Sequence, residues 1–274
     1  MSSLRDVQMY GLNILKEVVK ICDTNNYRYY LSWGTLLGAV RHKGFIPWDN
    51  DIDIMMPISD YKRFIKEAAK QLPDGLFLQT YTTDRGYNEM WAKVRADGTT
   101  SLPLIWKNYS IHFGIGIDIF PMIGIYKHPF VRKLQYNLFR FCRILLAKEE
   151  LEAVASVELK NKKLQLIYKL PWKMRIQICK ILECFVFKKI SKKGDVVIIS
   201  HGFDGPFPAR IFKEKIQMLF EKELFAGPKE YDYILTKMYG DYMTPPPLEE
   251  RGKNNFGKII YDCEKDYREY LKSL

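Results

Sequence analysis

The chain has 274 residues, 47% of them hydrophobic and 14% aromatic, and a formal net charge of +11. That length buries one large core or two smaller ones, and the composition excludes a disordered or low-complexity protein. Five cysteines without a CxxC pair, four histidines without zinc-ligand spacing, no secretory signal and no apolar run near membrane-spanning length point to a reducing, cytoplasmic compartment.

In chain order, Leu4, Val7, Ile14, Val18 and Ile21 recur at helical spacing and predict an amphipathic helix over residues 3–24. Asn25-Asn26 ends it, and the aromatic run "YRYYLS" (27–32) reads as a strand. "GTLLGAVRHKG" (34–44) is a glycine turn opening a short helix that stops at Gly44. "DIDIMMP" (51–57) alternates like a strand and is closed by Pro57. "SDYKRFIKEAAKQL" (59–72) is a helix with Ser59 or Asp60 as its cap. Short strands are expected at 75–81, 90–96 and 114–120, which makes a small mixed α/β unit of residues 1–125. Long helical periods follow at 129–147, 157–169 and 172–190, and residues 201–274 are expected to add a C-terminal helical segment that completes the site. Within that segment, "YGDYMTPPP" (239–247) forms an extended wall, since three prolines exclude helix.

The positive charge is local. Residues 127–193 hold 17 Lys/Arg against 5 Asp/Glu, whereas the rest of the chain is nearly balanced. The helices there combine apolar faces with flanking basic residues, a pattern that suits an anionic membrane surface and equally an ordinary solvated face.

The chemistry gathers around "WDNDIDIMMP", where Asp49, Asp51 and Asp53 fall within five residues and are walled in by Ile52, Ile54, Met55 and Met56. Like charges this close repel, and apolar neighbours raise the cost of ionising them, so a cation is expected. On a strand, side chains two apart share a face, which points Asp51 and Asp53 the same way as hard ligands for Mg²⁺ or Mn²⁺. "GIGIDIF" sets Asp118 between Ile117 and Ile119, a third carboxylate to complete a metal site or accept a proton. Upstream, Gly34 and Thr35 open a helix whose free N–H groups favour phosphate, with Ser32 as a further hydroxyl. Arg41, His42 and Lys43 can hold negative oxygens from the other side. Each feature alone is an ordinary turn or solvated acid; in this order they are the layout of a metal-dependent phosphoryl-transfer site. Lys93 and Arg95 share a face of one strand and either contact a donor phosphate or form a salt-bridged surface.

"WGTLLGAVRHKGFIPWDNDIDIMMP", "KVRADGTT", "IDIFPM" and "YGDYMTPPP" together resemble the LicD family of phosphocholine transferases, related to the fukutins. The resemblance covers residues from about 30 to 125 and from about 205 to 250. It implies a nucleotidyltransferase-type fold; with the elements read above, the expectation is an α/β (α+β) nucleotidyltransferase-like mixed sheet with flanking helices, divided into a catalytic core (1–125), a basic helical subdomain (126–200) and the C-terminal segment (201–274). It also implies transfer of phosphocholine, or a related phospho-alcohol, from CDP-choline or another CDP-alcohol to a glycan or teichoic acid precursor hydroxyl, with CMP leaving. Asp51, Asp53 and Asp118 match the metal-binding carboxylates, and Gly34 and Thr35 face the donor phosphates. Asn50 stands where the family often has Asp. Trp48, Trp33 and Tyr30 either pack in the core or cage a quaternary ammonium. The same carboxylates would serve a nucleotidyltransferase passing NMP from an NTP to a small molecule or nucleic acid, a reading the basicity supports weakly; nucleic acid is not the favoured partner. A lipid-linked glycan acceptor would place the enzyme against the inner membrane face.

Overall fold

The computed structural model describes residues 1–154, 162–252 and 258–274. Helix α1 (Leu4–Thr24) starts at a reciprocal cap, in which the Asp6 N–H donates to the Ser3 hydroxyl and the Ser3 N–H to the Asp6 carboxylate. Its apolar stripe, including Leu12, Leu15, Val18 and Cys22, is buried. Strand β1 (Tyr30–Leu31), helix α2 (Trp33–Arg41), strand β2 (Asp53–Pro57) and helix α3 (Ile58–Glu67) follow. The cap expected for α3 at Ser59 or Asp60 is absent, because the helix begins directly from Pro57 and puts both residues inside its first turn. Asp60 instead accepts from Arg28 Nε at 2.8 Å.

Strands β3 (Leu76–Gln79), β4 (Ala92–Ala96), β5 (Thr100–Pro103) and β6 (Gly116–Gly124) come next. The principal sheet runs β1-β2-β6-β4-β3, with β2 parallel to β6 and the other pairs antiparallel. Strand β6 reads as a continuous apolar run apart from Asp118, as expected of a central strand covered on both faces.

Helices α4 (Pro129–Leu146), α5 (Lys148–Val154), α6 (Lys162–Tyr168) and α7 (Trp172–Val186) carry the basic segment, and the start of the predicted helix at 157–169 lies outside the described residues. Strands β7 (Asp195–Ile199) and β8 (Phe203–Pro208) then return to the sheet, β7 pairing with the second half of β6. No helix among the described residues is long and apolar enough to cross a membrane.

The last quarter corrects the helical expectation. Residues 215–228 form a hairpin of β9 (Lys215–Phe220) and β10 (Glu223–Pro228). Its turn residues Glu221 and Lys222 both have positive φ, at 51° and 69°, the geometry of a two-residue hairpin turn. Alternation toward the core at Met218, Phe220 and Phe225 overrides the helix-favouring Lys and Glu between them. Helix α8 (Tyr231–Tyr239) follows, strand β11 (Ile259–Asp262) pairs with β5, and α9 (Tyr267–Ser273) ends the chain.

Candidate active site

Strands β2 and β6 bring the acids together. Asp53 and Asp118 are register partners in the parallel pair, so their side chains leave the same face of neighbouring strands about 5 Å apart. Across the antiparallel β4–β6 pair, Asp118 faces Lys93, and Lys93 Nζ lies 2.6 Å from Asp118 Oδ2. The second oxygen of Asp118 accepts from Trp91 Nε1 at 2.6 Å. Asp51 lies just outside β2; Ile52 and Ile54 are buried on either side of Asp53 while Asp51 is exposed, so the alternation of burial read from the sequence continues through both acids. The ladder also begins there, since the Asp118 N–H donates to the Ile52 carbonyl at 2.8 Å.

The glycine turn positions this strand. Thr35 is buried, and its hydroxyl accepts from the Asp53 N–H at 2.8 Å, while the Ser32 N–H donates to the Asp53 carbonyl at 3.0 Å. The start of α2 therefore grips Asp53 from both backbone groups. A Cβ on Gly34 would stand 2.5 Å from Asp49 Oδ2, so the room that glycine opens is filled by the Asp49 carboxylate. The positive end of α2 favours that charge. Gln8 from α1 holds the loop, donating to the Asp49 carbonyl at 2.7 Å.

The carboxylates raise one another. Burial pushes Asp49 up to about 8, and the negative charge of Asp51 adds to it. Asp53 stands well above the usual carboxylate range, first through burial and then through Asp51, Asp118 and Asp49. Asp51, at the solvent-open mouth of the cleft, is also raised by the protein packed around its carboxyl and by Asp118, with Asp49 and Lys93 opposing. No group of three or more His, Cys, Asp and Glu side chains among the described residues forms a metal-holding set. Mg²⁺ does not require one, because it commonly takes one or two carboxylates and completes its shell with substrate phosphates and water. Asp51 and Asp53, hard donors with unrelieved mutual repulsion, suit that role. Asp118 keeps further lone pairs for a ligand beyond Lys93 and Trp91.

Other residues singled out in the sequence go elsewhere. Arg41 donates to the Tyr242 carbonyl at 2.8 Å, which ties "YGDYMTPPP" to α2. Lys43, exposed and at φ 58°, turns back to the Val40 carbonyl at the helix end. Arg95 is held by Gln79 and the Gly114 carbonyl and lines the cleft beside Lys93. The proposed aromatic trio finds three different partners. Tyr30 is a core residue donating to the Phe212 carbonyl, Trp33 packs on Phe120 at 4.3 Å, and the Trp48 ring is covered by the Arg251 guanidinium at 4.8 Å. Asn50, in the acidic run, donates to the Tyr261 hydroxyl of β11.

The sequence reading passed over Asp49 as a site residue, and also Trp91, Glu89 and Tyr239. Tyr239 is 43% exposed, yet its hydroxyl is pushed up by the protein around it and then by Asp53, Asp49 and Asp51, which sets the end of α8 beside the acids. Trp91, four residues before Arg95 at the edge of β4, carried no signal apart from its place beside "AKVRA".

Residues 26–142 match the family described as LicD/FKTN/FKRP, nucleotidyltransferase domain. The lipopolysaccharide cholinephosphotransferase LicD of Haemophilus influenzae is 30% identical over 260 residues, covering 91% of this chain and 94% of that protein. The ribitol 5-phosphate transferase FKRP of Homo sapiens is 44% identical over 43 residues, 16% of this chain and 9% of that protein, and FKRP of Mus musculus matches over the same length.

Proposed function

The chain belongs to the LicD family of transferases, and from that premise we propose that it moves phosphocholine from CDP-choline to a hydroxyl of a cell-surface glycan or teichoic acid precursor, releasing CMP. The observation that carries this reading is the meeting of Asp51, Asp53 and Asp118 with Lys93 on one face of the sheet, in a chain similar along most of its length to a cholinephosphotransferase.

Asp51 and Asp53 would hold Mg²⁺ or Mn²⁺, which supplies positive charge to the diphosphate and to the leaving CMP oxygen. Lys93, 2.6 Å from Asp118, fixes that carboxylate beside the transferred group. The acceptor oxygen attacks phosphorus in line; its bond to phosphorus forms as the bond to CMP breaks, and CMP leaves with the electron pair. Asp118 takes the acceptor proton, oriented for it by Trp91 and Lys93. Tyr239 stands beside the acids, and the segment after it is tied to α2 through Arg41. Helices α4 and α7 rest the enzyme on an anionic cytoplasmic leaflet, beside a lipid-linked acceptor.

Product analysis tests the reading. CDP-choline with Mg²⁺ and a glycan acceptor is expected to give CMP and a phosphocholine-bearing product, with CDP-ribitol and CDP-glycerol as poorer donors. Nucleotide on the acceptor with pyrophosphate released from CTP would replace this reading with the nucleotidyltransferase one.

A further inference from the structure

The cleft that contains Asp51 and Asp118 is also lined by Tyr87, Glu89, Trp91, Trp106, Tyr109 and Glu150. We propose that this aromatic and acidic part of the cleft binds the trimethylammonium group of the donor, and so selects choline over neutral alcohols; the proposal rests on the CDP-alcohol reading above. Tyr87 is 2% exposed, and its hydroxyl has no hydrogen-bond partner. Glu89 Oε2 also lacks a hydrogen bond, with Arg143 at 3.3 Å as its ion-pair partner. Asn88 fixes Glu150 by donating to Oε2 at 2.5 Å.

A quaternary ammonium carries no N–H, so a site for it needs ring faces and negative charge in place of acceptors aligned on a donor. This lining supplies both. Ribitol or glycerol gains no cation–ring attraction here, and each of its hydroxyls would have to pair with the few polar groups among the rings, such as Asn88, Glu150 and the Tyr87 hydroxyl. Lys93 and Arg95 line the same cleft, but Lys93 is neutralised by Asp118 and Arg95 is held by Gln79 and Gly114. Trp91 belongs to both parts, since its ring lines the cleft while its N–H holds Asp118. One rigid side chain thereby fixes the spacing between the ammonium and the phosphorus.

Calorimetric titration at pH 8 with phosphocholine, ribitol 5-phosphate, inorganic phosphate and CMP, in the presence of Mg²⁺, reads the subsite without turnover and with Glu89 ionised. Phosphocholine is expected to bind more tightly than phosphate. Glu89→Gln is expected to weaken phosphocholine about tenfold, the scale of one desolvated cation contact, while CMP and phosphate binding stay unchanged. Glu150→Gln gives the same readout if the first variant does not fold. Unchanged phosphocholine affinity in both variants, or ribitol 5-phosphate binding as tightly as phosphocholine, overturns the subsite. Absence of CMP release in a protein that still binds phosphocholine through Glu89 would overturn the transfer reaction and leave the subsite standing.

Discussion

The acidic cleft and the basic helical layer carry charge in opposite ways. Beside the cleft, Asp49, Asp51 and Asp53 crowd together, and desolvation with the negative charge of neighbouring carboxylates raises each above the usual carboxylate range. In the layer of α4, α5 and α7 the charges that enter the protein have ion-pair partners, although Arg143 Nε and Arg175 Nε are left without a hydrogen bond. Arg175, 1% exposed, is paired with Glu149 and also donates to the Leu145 carbonyl. Arg143 pairs with Glu89, and Lys188 donates to the Ile125 carbonyl with the Tyr126 ring beneath it. Buried charge with a partner holds a fold together, whereas buried charge left unanswered awaits a ligand. The larger charge count therefore goes with internal pairing, and the smaller, unbalanced one marks the proposed site.

The largest effect should come from breaking the unanswered side. Asp53→Asn or Asp51→Asn is expected to lower turnover by roughly three orders of magnitude, the scale for losing a main electrostatic stabiliser. Thermal stability should hold or rise, because a repelling neighbour is gone. Near wild-type turnover at limiting Mg²⁺ would falsify the metal role.

The answered side should respond in stability. Arg175→Met removes one member of a buried ion pair and strands Glu149, at a cost of about 3 kcal/mol. Denaturant unfolding would show it, and turnover per folded molecule should be retained. A variant as stable as wild type would mean that the pair contributes nothing beyond its own desolvation.

Thr35 sharpens the contrast from within the site. If the hydroxyl serves Asp53, Thr35→Val orphans the Asp53 N–H and lowers kcat by about tenfold with little change in donor KM, at about 1–3 kcal/mol in stability. Thr35→Ser should restore both. A rise in KM alone would instead give Thr35 the phosphate contact implied by family resemblance.

These cases also show what was legible beforehand. Apolar-flanked acids and the period of two around Ile52 and Ile54 announced the strand and its partner Asp118, because burial leaves few ways to arrange such a sequence. Helices α1 and α4 were equally plain. The sequence could not show that Gly34 makes room for Asp49, that Thr35 is a strand partner, or that Arg251 covers Trp48, since each depends on a segment distant in sequence or on a loop's path. The hairpin at 215–228 was missed for a related reason. Lys and Glu between its apolar residues favour helix locally, and only packing against β1 and α2 decides otherwise.

Glu89 joins the two regions, being a cleft residue paired with the basic layer. Its pKa is raised from 4.5 to about 7, mainly by burial and further by Glu150 and Asp118, with Arg143 and Lys93 opposing. The folded protein thus binds this proton more tightly than the unfolded chain. The associated stability is complete below about pH 4.5 and is lost as pH rises through 7. A shift of that size corresponds to about 3 kcal/mol at most. Glu89→Gln should flatten this slope, so that its melting temperature exceeds that of wild type at pH 8 and matches it at pH 4.5. Equal slopes in both proteins would mean that Arg143 answers Glu89 fully, which would move the residue to the structural side.

The smallest effect concerns the outer face of the basic layer, where Phe130, Met174 and Ile181 are exposed at 71%, 52% and 69%. Apolar side chains this open lose nothing by inserting into a headgroup region, and the exposed Lys189, Lys192 and Lys193 add about 1 kcal/mol each near anionic lipid. Ile181→Glu with Phe130→Glu should cut partitioning onto phosphatidylglycerol vesicles about tenfold, and the lysine reversals should mainly remove its salt dependence. Turnover of a short soluble acceptor should survive both, because none of these residues lines the cleft. Wild-type protein that ignores such vesicles at low salt would reduce the layer to a solvated face, and the charge excess would then have only its internal pairings to account for.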